Sequence, residues 1–269
     1  MKIGIIGLGK MGEAIVAGLR RPVKGKSPDV FELRATTKSE ESAVEAADHL
    51  GIICNTDNAT MVKESEILVL CVKPHQARTV LENIKPYLTA DHLVISICAA
   101  ITTKQVEEWS GGKAPVIRAM PNTPCLIGAG MTVYCAGSKA EPEHMVIAER
   151  IFSAVGETTD VEEPLMDGVT GLSGCGPAYV YLMIESLSEA GVKVGLPRKT
   201  ATLLAAQTMM GSAKMVLERG EHPAALKDEV TTPAGCTIDG LMALEEGGLR
   251  VTLIKAVLAA TERSKTLRS

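Results

Sequence analysis

Two stretches of this sequence carry residues whose types and spacing could do chemistry, and the first lies near the N-terminus. Gly7, Gly9 and Gly12 form the pattern GxGxxG directly after the apolar run KIGII. In a strand–turn–helix unit, the first glycine permits a tight turn and the second lets a pyrophosphate approach the backbone, while the third allows close helix–strand packing. Because a helical pattern follows, the stretch predicts a dinucleotide-binding loop rather than a plain turn.

The second stretch, VTTPAGCTIDG at 230–240, lies between two helical patterns. It holds three threonines, a proline, two glycines and a cysteine, so much of its backbone N–H is open. Two interpretations compete at this point. One is a helix–helix turn in which Thr237 caps a helix that begins near Ile238. The other is a cradle for a small anion at a helix N-terminus.

The end of the second predicted strand bears on which dinucleotide would bind. NAD sites place an acid there for the ribose 2′-hydroxyl, and Glu32 has the usual spacing from the glycine pattern. The strand pattern runs on past Glu32, however, which places Glu32 mid-strand and lets the strand end at Thr36, Thr37 and Lys38. Two hydroxyls and an ammonium group suit a 2′-phosphate. We therefore expect NADPH as the cofactor, with NADH as the alternative.

Other predicted strands end in segments that should line the same site, because ligands bind at the carboxyl ends of parallel strands. These segments are 71–74, 97–100 and 120–124, and Lys73 is the only charged residue among them. Lys73 would contact substrate or ribose, or it would be a solvated lysine at a strand end.

The elements that must position these residues alternate between strand and helix up to about residue 160. Strand patterns cover 2–7, 30–36, 67–72, 93–98, 115–120 and 131–137. Such alternation indicates an α/β fold with an N-terminal Rossmann domain, a doubly wound parallel sheet, at 1–160. Beyond it no strand pattern appears. Residues 161–269 are expected to form an all-helical domain for dimerisation and substrate binding.

The helical patterns of the C-terminal part cover 163–171, 177–194, 198–219 and 239–266. The second of these is apolar over most of its circumference, so it must be buried in its own domain or against another subunit. A homodimer is the favoured interpretation and a monomeric bundle is the alternative.

The composition excludes several function classes. The net charge is −4 and aromatic residues make up 3%, so a basic face or a base-stacking platform for nucleic acid is not expected. No apolar stretch reaches the roughly 20 residues that span a bilayer, and the N-terminus has no signal-peptide pattern. Seven scattered cysteines without a CxxC pair fit reduced thiols and no zinc site. We expect a cytoplasmic protein that acts on a small molecule, without a metal.

The first long C-terminal helix narrows the reaction class. It has no lysine or histidine before Lys193, whereas dehydrogenases of 3-oxo acids, which this chain resembles in its GxGxMG, carry a lysine there. An imine is more basic than a carbonyl and needs less help from an acid. The helix therefore favours a reductase that acts on an imine. The alternatives are a related imine or keto-acid reductase and a catalytically silent NADPH-binding dimer.

Several motifs together resemble the pyrroline-5-carboxylate reductase family. They are GLSGCGPAYVY, HPAALKDEVTTPAGCTIDGLMALEEGGLR, AVLAATERSKTL, VKPHQ and RAMPNTP, and they extend over essentially the whole chain. The resemblance implies NADPH-dependent reduction of 1-pyrroline-5-carboxylate to L-proline, the final step of proline biosynthesis. It also implies dimers that assemble further, for example into a decamer.

The resemblance also implies site residues. Thr237 would be catalytic, with its hydroxyl facing the ring nitrogen of the substrate. Substrate would be bound by Lys73, Thr232, Gly235, Cys236 and Thr237. Cofactor would be bound by Ile6, Gly7, Leu8, Gly9, Lys10, Met11, Gly12, Thr36, Thr37, Asn58, Cys71, Val72, Lys73, Pro74, Ile97, Cys98 and Ala99.

The chain departs from the family pattern at four positions. The family has serine where this chain has Cys175, glycine at Ala100 and Ala234, and threonine or alanine at Cys236. If the glycine at position 234 requires a positive φ, alanine costs on the order of 1 kcal/mol there.

Overall fold

A computed structural model describes residues 1–21 and 31–267, so the start of the second predicted strand, Val30, lies outside the described residues. The strands are β1 (Lys2–Ile6), β2 (Glu32–Thr36), β3 (Ile53–Asn55), β4 (Ile67–Leu70), β5 (Leu93–Ser96), β6 (Val116–Met120), β7 (Gly130–Ala136) and β8 (Gly156–Asp160). The helices are α1 (Lys10–Arg20), α2 (Glu40–Leu50), α3 (Asn58–Lys63), α4 (Pro74–Ile84), α5 (Thr103–Ser110), α6 (Pro142–Phe152), α7 (Met166–Val169), α8 (Gly176–Lys193), α9 (Arg198–Arg219), α10 (Pro223–Glu229), α11 (Cys236–Glu246) and α12 (Leu249–Thr266).

The eight strands form one sheet in the order β3-β2-β1-β4-β5-β6-β7-β8. Every neighbouring pair is parallel except β6 and β7, which pair antiparallel from Ile117 opposite Ala136 to Met120 opposite Val133. The predicted doubly wound sheet is confirmed, and this pair is the exception to the parallel pairing that strand–helix alternation predicts. The segment between β6 and β7 holds only a short 3-10 turn at Thr123–Ile127, and a parallel crossover needs a dozen or more residues.

The central strands are mostly apolar because both faces of the sheet are covered. On β4, Ile67 and Val69 belong to one buried cluster, whereas Leu68 and Leu70 belong to another on the opposite face. Two strands were missed in the sequence. β3 has only three residues, and β8 has the polar sequence GETTD, which lacks the alternation that a half-buried strand needs.

A buried polar network joins the sheet to the turn that follows β8. The side chain of Arg118 on β6 is 2% exposed, and its Nη1 lies 3.3 Å from Oε1 of Glu163. The backbone N–H of Thr103 donates to the same oxygen at 2.7 Å, and the Thr103 hydroxyl donates to Oε2 at 2.5 Å. The Glu163 carboxylate thus accepts all three donors and balances the charge of the buried guanidinium.

Two compact units divide the chain. The first comprises Met1–Cys175 and the residues from Ala259 onward, and the second comprises Gly176–Leu258. Within the first unit, the hydroxyl of Ser264 near the end of α12 donates to Oδ1 of Asp167 at 2.9 Å, and both residues are buried. This bond fastens the end of the chain's last helix to the segment after the sheet.

The second unit is helical. α8 and α9 lie close to the predicted boundaries, but the predicted helix at 239–266 is two helices, because the chain breaks at Gly247 and Gly248, the latter with φ +68°. The predicted helix at 163–171 is also divided, into a 3-10 turn, α7 and part of a π-helical turn.

The apolar circumference of α8 is not covered by its own chain. Ser188 is its only buried residue, and Tyr181 and Leu182 are 60% and 63% exposed. The interpretation in which α8 is buried within its own domain is therefore wrong, and its surface is of the kind that another subunit covers. Among the described helices, none combines the length and the apolar character needed to cross a membrane.

Candidate cofactor cleft and substrate loop

The glycine-rich loop between β1 and α1 is held in a tight turn at the end of β2. The N–H groups of Gly7 and Leu8 both donate to the carbonyl of Thr36, at 3.0 and 3.1 Å. Gly7 has φ +90°, and a Cβ there would lie 2.6 Å from Cγ1 of Val72 and 3.1 Å from its backbone nitrogen. Only glycine fits this position.

The loop leaves its outer side open. A Cβ on Gly9 would meet nothing within 4 Å, whereas one on Gly12 would lie 3.1 Å from the carbonyl of Gly7. Hydrogen bonding in α1 begins with Glu13 N–H to the Gly9 carbonyl at 2.9 Å, and no described side chain caps the helix. The preceding amides of the first turn are therefore free to meet an anion. This uncapped, sterically open turn fits a dinucleotide pyrophosphate.

A cleft of about 870 Å³ runs along the carboxyl ends of the strands from this loop. It brings together every residue that the sequence analysis assigned to the cofactor except Gly12. The cleft lining comprises Ile6, Gly7, Leu8, Gly9, Lys10, Met11, Thr36, Thr37, Lys38, Ser42, Thr56, Asn58, Cys71, Val72, Lys73, Pro74, Gln76, Val80, Ile97, Cys98, Ala99, Met120, Pro121, Thr123 and Leu126. Gly12 does not line the cleft, but its lack of a side chain lets α1 pack closely against the glycine-rich loop.

One end of the cleft carries hydroxyl and amide groups. The Thr36 hydroxyl donates to Oδ1 of Asn58 at 2.6 Å, which leaves the amino group of Asn58 as its donor toward a ligand. Thr37 N–H bonds to the Asn55 carbonyl at 3.0 Å and so joins the ends of β2 and β3. Lys38 supplies the positive charge at this end.

Glu32 lies away from this end. It is the first residue of β2 and pairs with Lys2, so its expected place in the middle of the strand was wrong by a few residues. The strand begins later than predicted because only Glu32–Thr36 pairs with β1. A hydrogen bond from Arg34 at 2.7 Å lowers the pKa of Glu32, which is thus engaged in an ion pair. The cleft therefore has no contribution from the acid whose spacing would favour NAD.

The middle of the cleft contains two cysteines. The Cys98 thiol donates to the Val72 carbonyl at 3.3 Å, and burial raises the pKa of Cys98 to about 11. Burial also raises the pKa of Cys71, and the nearby Cys98 adds to that shift. Both thiols are protonated at neutral pH, so they line the cleft as small neutral groups and do not act as nucleophiles.

Lys73 occupies the cleft rim at the start of α4. It is exposed, and its backbone N–H lies 3.4 Å from Oε1 of Gln76, which also lines the cleft. His75 is exposed in the first turn of α4, as expected of a residue at a helix start.

Some cleft residues had no counterpart among the predicted site residues. Ser42 and Thr56 come from the start of α2 and from the end of the unpredicted strand β3. Val80 and Leu126 are apolar residues of a helix and a 3-10 turn, and nothing in a single sequence distinguishes them from core residues. A strand pattern at 53–55 would have been the signal for Thr56.

The stretch 230–240 connects α10 to α11 in the second unit, and four of the five predicted substrate residues lie there. The Gly235 N–H closes a turn to the Thr232 carbonyl at 3.0 Å, and Gly235 is the residue at which α11 is capped. The helix therefore begins at Cys236, two residues earlier than the predicted start near Ile238. The expectation that Thr237 caps the helix was wrong, because Thr237 is already inside the first turn.

The first turn of α11 nevertheless has the character of an anion site. No described side chain caps it, so the N–H groups of Cys236 and Thr237 have no partner within the helix. A Cβ on Gly235 would lie 2.5 Å from the Thr232 hydroxyl, which explains the need for glycine beside that threonine. A helix–helix turn and an anion site are therefore compatible interpretations of this stretch, because the turn leaves the N–H groups of Cys236 and Thr237 without partners in the helix.

The two alanines at positions where the family resemblance implies glycine both have a left-handed backbone. Ala100 has φ +62° and Ala234 has φ +57°, and they are the only non-glycine residues with positive φ among those described. Position 234 therefore has the positive φ that makes an alanine less stable there than a glycine. The loop before α11 keeps a backbone conformation typical of glycine, although the Cβ of Ala234 disfavours it.

Ala234→Gly is expected to stabilise the protein by about 0.5–1 kcal/mol, since glycine removes the left-handed strain at a smaller cost in unfolded-chain entropy. Urea unfolding of both proteins measures the difference. Ala213→Gly, in the interior of α9, is the matched control and is expected to destabilise by about 1 kcal/mol. A destabilised Ala234→Gly protein would contradict the strain.

Comparison with known proteins agrees with these features. Residues 163–267 match the family described as pyrroline-5-carboxylate reductase dimerisation, and residues 2–100 match one described as NADP oxidoreductase, coenzyme F420-dependent. A pyrroline-5-carboxylate reductase of Methanosarcina acetivorans is 44% identical over 266 residues, which are 99% of this chain and 97% of that protein.

Solved structures of the same family have the same fold. That of a pyrroline-5-carboxylate reductase from Coxiella burnetii has a TM-score of 0.91 and 37% identity, and it covers 99% of this chain and 98% of its own. The Plasmodium falciparum pyrroline carboxylate reductase, solved with NADP bound, has a TM-score of 0.86 and 36% identity over 100% of this chain and 98% of its own.

The dimerisation match over 163–267 accounts for the uncovered apolar helices and supports a homo-oligomer. This chain belongs to the pyrroline-5-carboxylate reductase family.

Proposed function

We propose that the protein reduces 1-pyrroline-5-carboxylate to L-proline with NADPH, as the final step of proline biosynthesis. The observation that carries the proposal is that one chain holds both a dinucleotide cleft with no acid at the end of β2 and an uncapped helix start that includes Thr237. The relatives named above support it, and one of their structures contains NADP. When bound, NADPH supplies the hydride that is added to the carbon of the C=N bond.

The residues of the cleft hold the cofactor in this proposal. The first amides of α1 face the pyrophosphate, and Gly9 leaves room for it. Thr37 and Lys38 contact the 2′-phosphate, and Asn58 donates from its amino group. Lys73 at the rim contacts ribose or substrate.

The residues of the loop before α11 hold the substrate. The open amides of Cys236 and Thr237 bind the carboxylate, with Gly235 and Thr232 beside them, because the Gly235 N–H is taken by the Thr232 carbonyl; the hydroxyl of Thr237 faces the ring nitrogen. Reduction adds a hydride to the carbon of the C=N bond and needs one proton on the nitrogen. The imine either binds with this proton already in place or takes it from the Thr237 hydroxyl or from water. The chain then needs to fix the ring and the carboxylate rather than supply a strong acid.

Three further points belong to the proposal. Residues 1–160 serve as the NADP-binding domain and 161–269 as the dimerisation and substrate-binding domain. The homo-oligomer is a dimer or a larger assembly of dimers such as a decamer. The protein works in the cytoplasm.

Purified protein is expected to consume NADPH when 1-pyrroline-5-carboxylate is added and to form L-proline in equal amount. Loss of NADPH absorbance and chromatographic detection of proline measure the two. A six-membered cyclic imine with the same carboxylate tests ring size. If NADPH binds but no imine is reduced at any pH at which the protein is folded, the proposed activity is wrong and a silent binding protein is favoured.

A further inference from the structure

The ends of β2 and β3 form one wall of the cofactor cleft. Asn55 on β3 pairs with Thr36 on β2, and Thr37 donates to the Asn55 carbonyl at 3.0 Å. Thr56, the next residue, therefore lies beside Thr37 and Lys38, and all three line the cleft. This is the end of the cleft at which the proposed function places the 2′-phosphate.

An acidic residue stands directly behind this wall. Glu40 is the first residue of α2, and its Oε1 accepts a hydrogen bond of 2.5 Å from the hydroxyl of Thr56. The turn that leads into α2 is fixed, because the Thr37 hydroxyl donates to the Ser39 carbonyl at 2.9 Å. The carboxylate of Glu40 is thus held one hydroxyl group away from the cleft.

Positive charge is sparse in the part of the cleft that the ends of β2 and β3 and the start of α2 line. Among the lining residues between positions 36 and 58, Lys38 is the one cation, and the others are neutral threonines, a serine and an asparagine. The charge of Glu40 also affects Cys54 on β3. The pKa of Cys54 is raised by burial first, and the charge of Glu40 raises it further although a hydrogen bond from Thr37 opposes the shift.

We propose that Glu40, bonded to Thr56, reduces the preference for NADPH over NADH by repelling the 2′-phosphate. This inference rests on the proposed function, since it assumes that the cleft binds these cofactors. A phosphate monoester carries about −1.5 to −2 charges at pH 7, whereas NADH has a neutral hydroxyl at that place. Glu40 therefore weakens NADPH binding selectively and narrows the preference that Thr37 and Lys38 create.

Glu40→Gln removes the charge and keeps an oxygen that accepts from Thr56. It is expected to strengthen NADPH binding by about threefold to tenfold, from Coulomb repulsion across several ångströms of wet surface, and to change NADH binding by less than about twofold. Dissociation constants for both cofactors are measured by titration of the whole protein. Glu41→Gln is the matched control: Glu41 is the next residue, exposed, and within the described residues its carboxylate makes no hydrogen bond to the cleft wall.

Salt separates repulsion from a structural effect. The gain in NADPH affinity from Glu40→Gln is expected to be largest at about 0.01 M ionic strength, where the screening length is about 30 Å, and to disappear near 1 M, where it is about 3 Å. A gain that is equal for NADH, or independent of salt, would overturn the inference, as would no gain at all. A parent protein that bound neither cofactor would overturn the proposed function together with the inference.

Discussion

Replacing Gly7 with alanine is expected to weaken NADPH binding by at least about thirtyfold. The left-handed backbone at Gly7 costs an alanine on the order of 1–2 kcal/mol, and the new Cβ would press on Val72 at 2.6 Å, with its backbone nitrogen 3.1 Å away. The loop must then leave the carbonyl of Thr36 and move into the space of the pyrophosphate. A loss of about 2 kcal/mol corresponds to the stated factor.

Gly112→Ala is the matched control for this experiment. Gly112 also has a positive φ of +64°, but a Cβ there would meet only the Glu107 carbonyl at 3.8 Å, and Gly112 does not line the cleft. It should cost about 1 kcal/mol of stability and leave NADPH affinity unchanged. Titration with NADPH and urea unfolding of both variants measure the two effects. Unchanged affinity in a folded Gly7→Ala protein would show that the loop does not hold the pyrophosphate.

Thr237→Ala is expected to lower kcat by at least about a hundredfold while the dissociation constant for NADPH stays the same. The proposed hydroxyl faces the nitrogen that gains the proton, and a positioned donor of this kind contributes about a hundredfold or more. Steady-state kinetics and NADPH titration measure the two quantities. Thr237→Ser keeps the hydroxyl and should retain most of the activity.

Thr231→Ala tests whether any threonine of the same loop has this effect. The hydroxyl of Thr231 donates to the Lys227 carbonyl at 2.8 Å, so it supports the end of α10 and is not available to a ligand. Its loss should leave kcat nearly unchanged. Near-normal turnover by Thr237→Ala would remove Thr237 from the proposed mechanism and leave proton transfer to water.

The cofactor residues could be predicted from the sequence because parallel strands fix where their carboxyl ends lie. Once GxGxxG places β1, the strands that follow must deliver Thr37, Cys71 and Ile97 to one edge, whatever their side chains are. The direction of β7 could not be predicted in this way. It depends on a connection too short for a crossover, and the strand pattern itself is the same in either direction.

Three other features could not be predicted from the sequence, because their local sequence patterns are weak or because they depend on residues elsewhere in the chain. β8 has no apolar alternation, so it could be found only through its pairing with β7. Thr237 is a good cap by residue type, but a turn closed by Thr232 moves the start of α11 to Cys236. The strain at Ala234 was predictable only through the glycine that the family resemblance implies there, since no local pattern requires a positive φ from an alanine.

The two outer strands have a consequence for assembly. β3 ends the sheet on one side with three residues, and β8 ends it on the other with the sequence GETTD, in which Glu157 and Asp160 are exposed. A short edge and a charged edge both resist the addition of a further strand from another molecule. Subunits are thus kept from joining strand to strand into open-ended fibres, and closed association is left to the helices of the C-terminal part.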